Sequence, residues 1–223
     1  RYAEKHGVSF SQARAKLPVK KRLWKQLVKA KIIGQARVLE RRRGKDFGLR
    51  DMAGLVKSGD PENMEARAAR KYWPQVFCDP QEQGPFSRDT DGEGCNSWLN
   101  YGYAVLRAIT ARAICASGLH PSLGVHHHNR YDSYCLASDL MEPFRPLVDG
   151  CVVALSTIHE AKELDREVKR DILAALAGRF LVDEKERSLF GLLAKTAQSL
   201  VEVYMKGGKE LYLPGLEYEP EKA

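Results

Sequence analysis

Residues 124–146, GVHHHNRYDSYCLASDLMEPFRP, run three consecutive histidines, His126, His127 and His128, toward Asp139 and Glu142. The two acids are one helical turn apart, so a helix or tight turn brings both to one side. Imidazole with carboxylates is a donor set suited to Mn²⁺, and to Mg²⁺ where oxygen predominates. On these residues alone a solvated polar connection reads equally well. Three adjacent histidines lack the same-face spacing of a helical zinc site, although a zinc hydrolase using His126 to His128 is a further reading. Pro143 removes a backbone donor directly after Glu142 and predicts a break there.

A second acid is out of place. In EARAARKYW, residues 65–73, a helix starting at Pro61 puts Glu65 on the stripe of Ala69, Tyr72 and Trp73, with Arg67, Arg70 and Lys71 on another face. A carboxylate on a small-and-aromatic stripe needs a counter-charge, because burying it alone is costly. Arginines of neighbouring helices supply it on one reading, a metal ion on the other.

The elements that must position these groups are helical, and the fold class predicted is all-α. Pro18 suits the first turn of a helix over 18–43, which Gly44 stops. A short helix covers about 47–58. Asp60-Pro61-Glu62 starts another, running to Trp73 because Pro74 disfavours helical geometry before it. Residues 78–96 form a Gly-, Pro- and Asp-rich loop, and Ser97 to Ser117 a largely buried helix. Amphipathic spacing predicts helices over about 165–181 and 184–206, the last closed by Gly207-Gly208.

Charge is concentrated. Of a net +7, the stretch from Pro18 to Arg50 carries twelve Lys and Arg against two acids, leaving the rest slightly acidic. Such a block suits a polyanion or a solvated helix face. The longest apolar run, Cys151 to Leu155, is far short of a membrane span. Five widely spread cysteines without a CxxC pair predict buried small hydrophobes in a reducing cytoplasm. The chain opens on Arg with no signal-like segment, so a soluble piece of a longer protein is expected.

Taken in order, EARAARKYW, LNYGYAVLRA (99–108), GVHHHN and DLMEPFRPLVD (139–149) resemble the CRISPR-associated integrase-endonuclease of spacer acquisition. Residues 17–39, LPVKKRLWKQLVKAKIIGQARVL, further resemble the type II branch of that family, and the likeness runs over roughly residues 15–206. The resemblance implies a helical catalytic lobe without its N-terminal β domain: a linker remnant over 1–17, the catalytic domain over 18–213 and an acidic tail over 214–223. It places the metal ligands and catalytic residues at Glu65, His127 and Glu142, binding Mg²⁺ or Mn²⁺, with Asp139 and Asn100 as auxiliary groups. Choosing His127 over its neighbours follows from motif register. The family has proline where Cys95 precedes Asn96 here. The implied reaction is insertion of protospacer DNA into a CRISPR array by 3′-hydroxyl transesterification, without a membrane, in a prokaryotic cytoplasm. Lys20, Lys21, Arg22, Lys25, Arg67 and Arg70 are the expected contacts to double-stranded DNA. Arg145 is expected in an ion pair. Implied partners are a second copy (a homodimer), a dimer of a small ferredoxin-like CRISPR-associated protein, the type II effector nuclease and an accessory ring protein. A non-catalytic helical nucleic-acid-binding protein is the alternative that the basic block also accommodates.

Overall fold

The computed structural model describes residues 2–77, 85–159 and 163–216, with side chains from Gly7 onward. Part of the predicted loop, residues 78–84, and residues 217–223 of the predicted tail lie outside the described residues.

Helix α2 (Leu17–Arg43) is the axis of the molecule. Pro18 occupies its first turn, and Gly44 caps its last, donating to the Glu40 carbonyl at 2.8 Å. Its inward face is apolar at three- and four-residue spacing, from Leu23, Trp24, Leu27 and Val28 to Ile32, Ala36 and Leu39. Against that face pack α3 (Leu49–Leu55), α4 (Met64–Val76), a 3₁₀ turn (Glu142–Phe144) and α7 (Arg145–Leu155). A second buried helix, α5 (Cys95–Ala116), meets α6 (Cys135–Met141), α7, α8 (Arg166–Ala177) and α9 (Leu189–Lys206). Helix α1 (Tyr2–Ala13) lies on α9, and its Ser9 and Gln12 bond the backbone of Gly118, His120 and Leu123.

Helix α7 is clasped between α2 and α5 because both present glycine to it. A Cβ at Gly34 would lie 2.8 Å from Pro146 Cγ, and one at Gly102 would lie 2.5 Å from Val148 Cγ1. These close approaches bring Glu142, directly before α7, beside α2.

Four local expectations are corrected. Helices dominate the described residues, but residues 179–188 form a hairpin, β1 (Arg179–Val182) against β2 (Lys185–Ser188), with Phe180 opposite Arg187. Its turn residues Asp183 and Glu184 sit at φ 52° and 59°. That geometry usually carries Asn-Gly or Asp-Gly, so the turn has no sequence signal. The last helix accordingly begins at Leu189 rather than 184, capped by Ser188, whose hydroxyl accepts from Gly191 N–H. Helix α4 begins at Met64 and runs through Pro74 to Val76. Pro74 is tolerated in the final turn, where the acceptor it deprives belongs to exposed Arg70. Helix α3 is shorter than predicted because Val56 takes an extended conformation.

Gly102→Ala is expected to cost about 1–3 kcal/mol in urea denaturation, by overpacking against Val148. Combined with Val148→Ala it should lose less than the sum of the two single changes, since the new methyl then occupies vacated space.

Candidate metal centre

Glu142 sits where α6 gives way to α7. Pro143 has no N–H to continue the α6 ladder, so the chain tightens into the 3₁₀ turn and restarts at Arg145. Buried Leu140, Met141 and Phe144 flank the break and carry Glu142 inward, leaving its side chain 6% exposed. Arg145 Nη1 donates to its Oε1 at 2.8 Å, and Lys31 Nζ pairs with its Oε2. Burial by itself would raise the Glu142 pKa; the Arg145 and Lys31 charges outweigh it and bring the value down to about 2.

Lys31 comes from the middle of α2, its side chain only 9% exposed, and its ammonium also lies 2.6 Å from Glu65 Oε1. Glu65 stands in the first turn of α4. The Asp60 carboxylate accepts from the backbone N–H groups of Met64 (2.9 Å) and Glu65 (3.0 Å), fixing that turn although the helix starts later than Pro61. The positive end of the helix dipole favours an acid there. Glu65 thus does meet a cation from a neighbouring helix, and that cation is a lysine. Two carboxylates far apart in sequence converge on one ammonium.

His127 is set by a different device. Fully buried Asp139 is wrapped by the connection that follows Gly124. Its Oδ2 accepts from Val125 N–H (2.6 Å) and His126 N–H (2.9 Å), and its Oδ1 faces His127 N–H (3.3 Å) and His127 Nδ1 (2.6 Å). The wrap is tight: a Cβ at Gly124 would meet the His127 carbonyl oxygen and come within 2.9 Å of Asp139 Oδ2. Lys20 donates to the Gly124 carbonyl at 3.3 Å. Both Asp139 oxygens are engaged as acceptors, so Nδ1 carries the hydrogen, and in the neutral imidazole Nε2 keeps its lone pair, the tautomer a metal ligand requires. Below the loop, Trp24 stacks on His126 (4.1 Å between centroids, planes 5° apart) and meets His127 edge-on at 5.7 Å. All three histidines are exposed; His126 and His127 stand at 87° to each other, each with its own partner. The bond to Asp139 raises the His127 pKa, with smaller contributions from Glu142 and Glu65, whereas burial lowers that of His126.

The remaining predicted residues are placed as follows. Asn100 donates to the Thr90 carbonyl at 2.7 Å and accepts from Arg88. Its bonds therefore hold the loop before α5, and it reaches Glu142 only through a chain of other side chains. In that chain Arg88 and Arg145 lie 5.5 Å and 4.2 Å from the Tyr103 ring centroid. Tyr103 and Tyr72 both donate to Asp149, whose pKa burial pushes up to about 6. Lys21, Lys25, Arg67 and Arg70 are exposed; Lys20 and Arg22 are half-buried. Lys31 and Trp24 are two residues of the site that the sequence does not single out, Lys31 being one of the twelve basic residues between Pro18 and Arg50.

Among the described residues no three His, Cys, Asp or Glu side chains converge, as they stand, closely enough to hold an ion. Even so, the donors fit a divalent cation. Two carboxylates already share one positive charge, and an imidazole with a fixed, available Nε2 lies within their field. Oxygen-rich donors with one imidazole suit Mg²⁺ or Mn²⁺. No described helix is long and apolar enough to cross a membrane.

Residues 7–188 match the family model described as CRISPR associated protein Cas1. The chain is 36% identical over 202 residues to the CRISPR-associated endonuclease Cas1 of Neisseria meningitidis serogroup C (strain 8013), covering 88% of this chain and 64% of that protein. It is 30% identical over 166 residues to the CRISPR-associated endonuclease Cas1 1 of Francisella tularensis subsp. novicida (strain U112), covering 68% and 52%. It therefore spans between half and two-thirds of the length of these relatives. Among solved structures, a casposase bound to integration product superposes with a TM-score of 0.78 at 24% identity, covering 97% of this chain and 70% of that one. A Cas6-RT-Cas1–Cas2 complex does so with a TM-score of 0.77 at 20% identity, covering 98% and 27%.

The bond between His127 and Asp139 predicts a pH signature. A histidine whose folded pKa is raised lends stability that is fully present below its ordinary value of 6.5 and lost as pH rises through the higher folded value. NMR titration of the imidazoles should therefore place the His127 midpoint above 6.5 and that of His126 below it. Asp139→Asn should bring His127 down while leaving His126 on its own side.

Proposed function

The chain belongs to the CRISPR associated protein Cas1 family, and on that premise we propose that it is the helical catalytic lobe of a metal-dependent DNA integrase and endonuclease of the type II branch. The observation that carries this reading is the convergence of Glu65 and Glu142 on one buried ammonium, beside a His127 whose tautomer is fixed by Asp139. In this reading the catalytic domain covers residues 18–213 and the first helix is a linker.

Glu65, His127 and Glu142 would hold a Mg²⁺ or Mn²⁺ ion, which would supply Lewis-acid stabilisation of charge developing at a scissile phosphate. Asp139 keeps His127 Nδ1 protonated and Nε2 free, and its bonds to the backbone of residues 125–127 fix which histidine is presented. Arg145 keeps Glu142 ionised and aimed. Exposed Lys21, Lys25, Arg67 and Arg70 take duplex phosphates and position DNA without reading its sequence. Lys20 and Arg22, more deeply set, assist from the same helix. The 3′-hydroxyl oxygen of an incoming protospacer strand bonds to phosphorus at the edge of a CRISPR repeat. The bond from that phosphorus to the 3′-oxygen of the target strand breaks, and the proton lost by the attacking hydroxyl is returned through solvent to the leaving oxygen. Water in place of the hydroxyl gives strand cleavage.

The assembly in this reading is a homodimer flanking a dimer of a small ferredoxin-like CRISPR-associated protein, with the type II effector nuclease and a ring-shaped accessory protein joining in the cytoplasm. Neighbours named as a Cas1–Cas2 complex and as a casposase on its integration product support DNA and that class of partner.

The test is an integration assay with labelled protospacer, supercoiled repeat plasmid and the small partner protein. His127→Ala and Glu65→Ala should each lower joining by at least about 100-fold, the scale for removing a transition-state contact, with DNA binding retained in a mobility-shift assay. Joining at wild-type rate in His127→Ala would overturn the ligand assignment.

A further inference from the structure

Lys31 is a paradox within the proposed site. It is one of the few charged side chains of α2 that face inward, and its ammonium lies between two of the three groups assigned to the metal. A lysine ammonium and a divalent cation cannot occupy the same space between the same two carboxylates. One helical turn further along the same face lies Gln35, 2% exposed, and its Oε1 is a buried acceptor with no hydrogen-bond partner among the described residues. Residues four apart on a helix are neighbours, with Cβ atoms about 5–6 Å apart. A buried acceptor left unsatisfied is costly and calls for a donor. The lysine stem has four rotatable carbons, so its ammonium can swing by several ångströms while α2 stays in place.

We propose that Lys31 is a displaceable positioning cation: it holds Glu65 and Glu142 together until a divalent ion takes their charge, and its ammonium then moves to Gln35 Oε1. The proposal rests on the metal-site reading above and adds two residues to it. In the unloaded site Lys31 prevents the two carboxylates from repelling each other apart. In the loaded site Gln35 gives the retracted ammonium a hydrogen bond inside the core. Binding of the ion is then an exchange of one cation for another, with affinity set in part by the competition. Where the lysine-bridged arrangement holds about nine-tenths of the population, removing it tightens apparent affinity about tenfold.

The experiment is a Mn²⁺ titration of EDTA-stripped protein, read by EPR of the free ion and by the Mn²⁺-induced shift in unfolding temperature. Lys31→Gln should lower the Kd for Mn²⁺ about tenfold and enlarge the temperature shift. Gln35→Leu should raise the Kd, and the double variant should match Lys31→Gln, because Gln35 acts only through Lys31. Lys25→Gln, an exposed charge on the same helix, should leave the Kd within about twofold, as expected for a screened surface charge. The proposal is overturned if Lys31→Gln binds no more tightly than wild type, or loses the same stability with and without Mn²⁺, as a purely structural cation would. An equal gain from Lys25→Gln, which marks a general field effect, also overturns it. Glu65→Gln separates the two readings. Wild-type Mn²⁺ binding that Glu65→Gln leaves untouched removes the metal site itself, and the Lys31 proposal with it. Binding that needs Glu65 but ignores Lys31 removes only the exchange.

Discussion

A carboxylate buried as deeply as Glu142 has to be given counter-charge, and the positions of three helices follow from how that is done. One cation is local: Arg145 is three residues on, at the start of α7, and reaches back to Oε1. The other is distant, since Lys31 must arrive from α2. Breaking a buried ion pair by removing one partner costs about 3–5 kcal/mol because a charge is left uncompensated. The crossing of α2 with α7 is therefore constrained electrostatically as well as sterically, and the Gly34 contact with Pro146 lets the backbones come close enough for Lys31 to reach. Glu65 is drawn to the same ammonium, so α4 is tied to α7 through a side chain belonging to neither.

Two kinds of restraint meet at this point. The acids are held by charge, which tolerates exchange of one cation for another. The histidine is held by directional hydrogen bonds, four of them converging on Asp139. Charge lets the glutamates adapt, while the bonds around Asp139 fix the loop register, so that His126 and His128 cannot take the place of His127 without unwrapping the carboxylate. Behind them, Arg145 lies over the Tyr103 ring, and Tyr103 and Tyr72 both donate to Asp149. That inner carboxylate, its pKa raised to about 6 by burial, is stabilised by hydroxyls rather than by a direct ion pair.

Much of this was legible in the residues, for identifiable reasons. Pro143 announces the break that turns Glu142 inward. Glu65 meets a cation as its pattern predicts, although it stands half-buried on the flank of the buried row Met64, Ala68, Tyr72 and Val76 rather than on it. Helix α2 could be delimited from Pro18 and Gly44 because both residues act through the local backbone. What escaped depends on tertiary contact. Lys31 is one lysine among twelve basic residues until the helix is packed, and only then does its face differ from that of Lys29. The role of Asp139 as a hub for backbone amides has no spacing signature, because its partners lie in an irregular loop. The hairpin at 179–188 escaped because Asp183 and Glu184 adopt left-handed geometry without glycine.

Exposure along the site rises in one direction. The side chain of Glu142 is 6% exposed, that of Lys31 9%, that of Glu65 25% and that of His127 49%. Glu142 and Lys31 form a floor, and Glu65 and His127 form a rim. On the proposed metal reading, a cation held by these groups would be shielded from water on the floor side and open to it at the rim. A phosphodiester would then reach the site from the rim side, where Arg67 and Arg70 of α4 are also exposed, so the asymmetry of burial would set the direction from which a nucleic-acid strand is delivered.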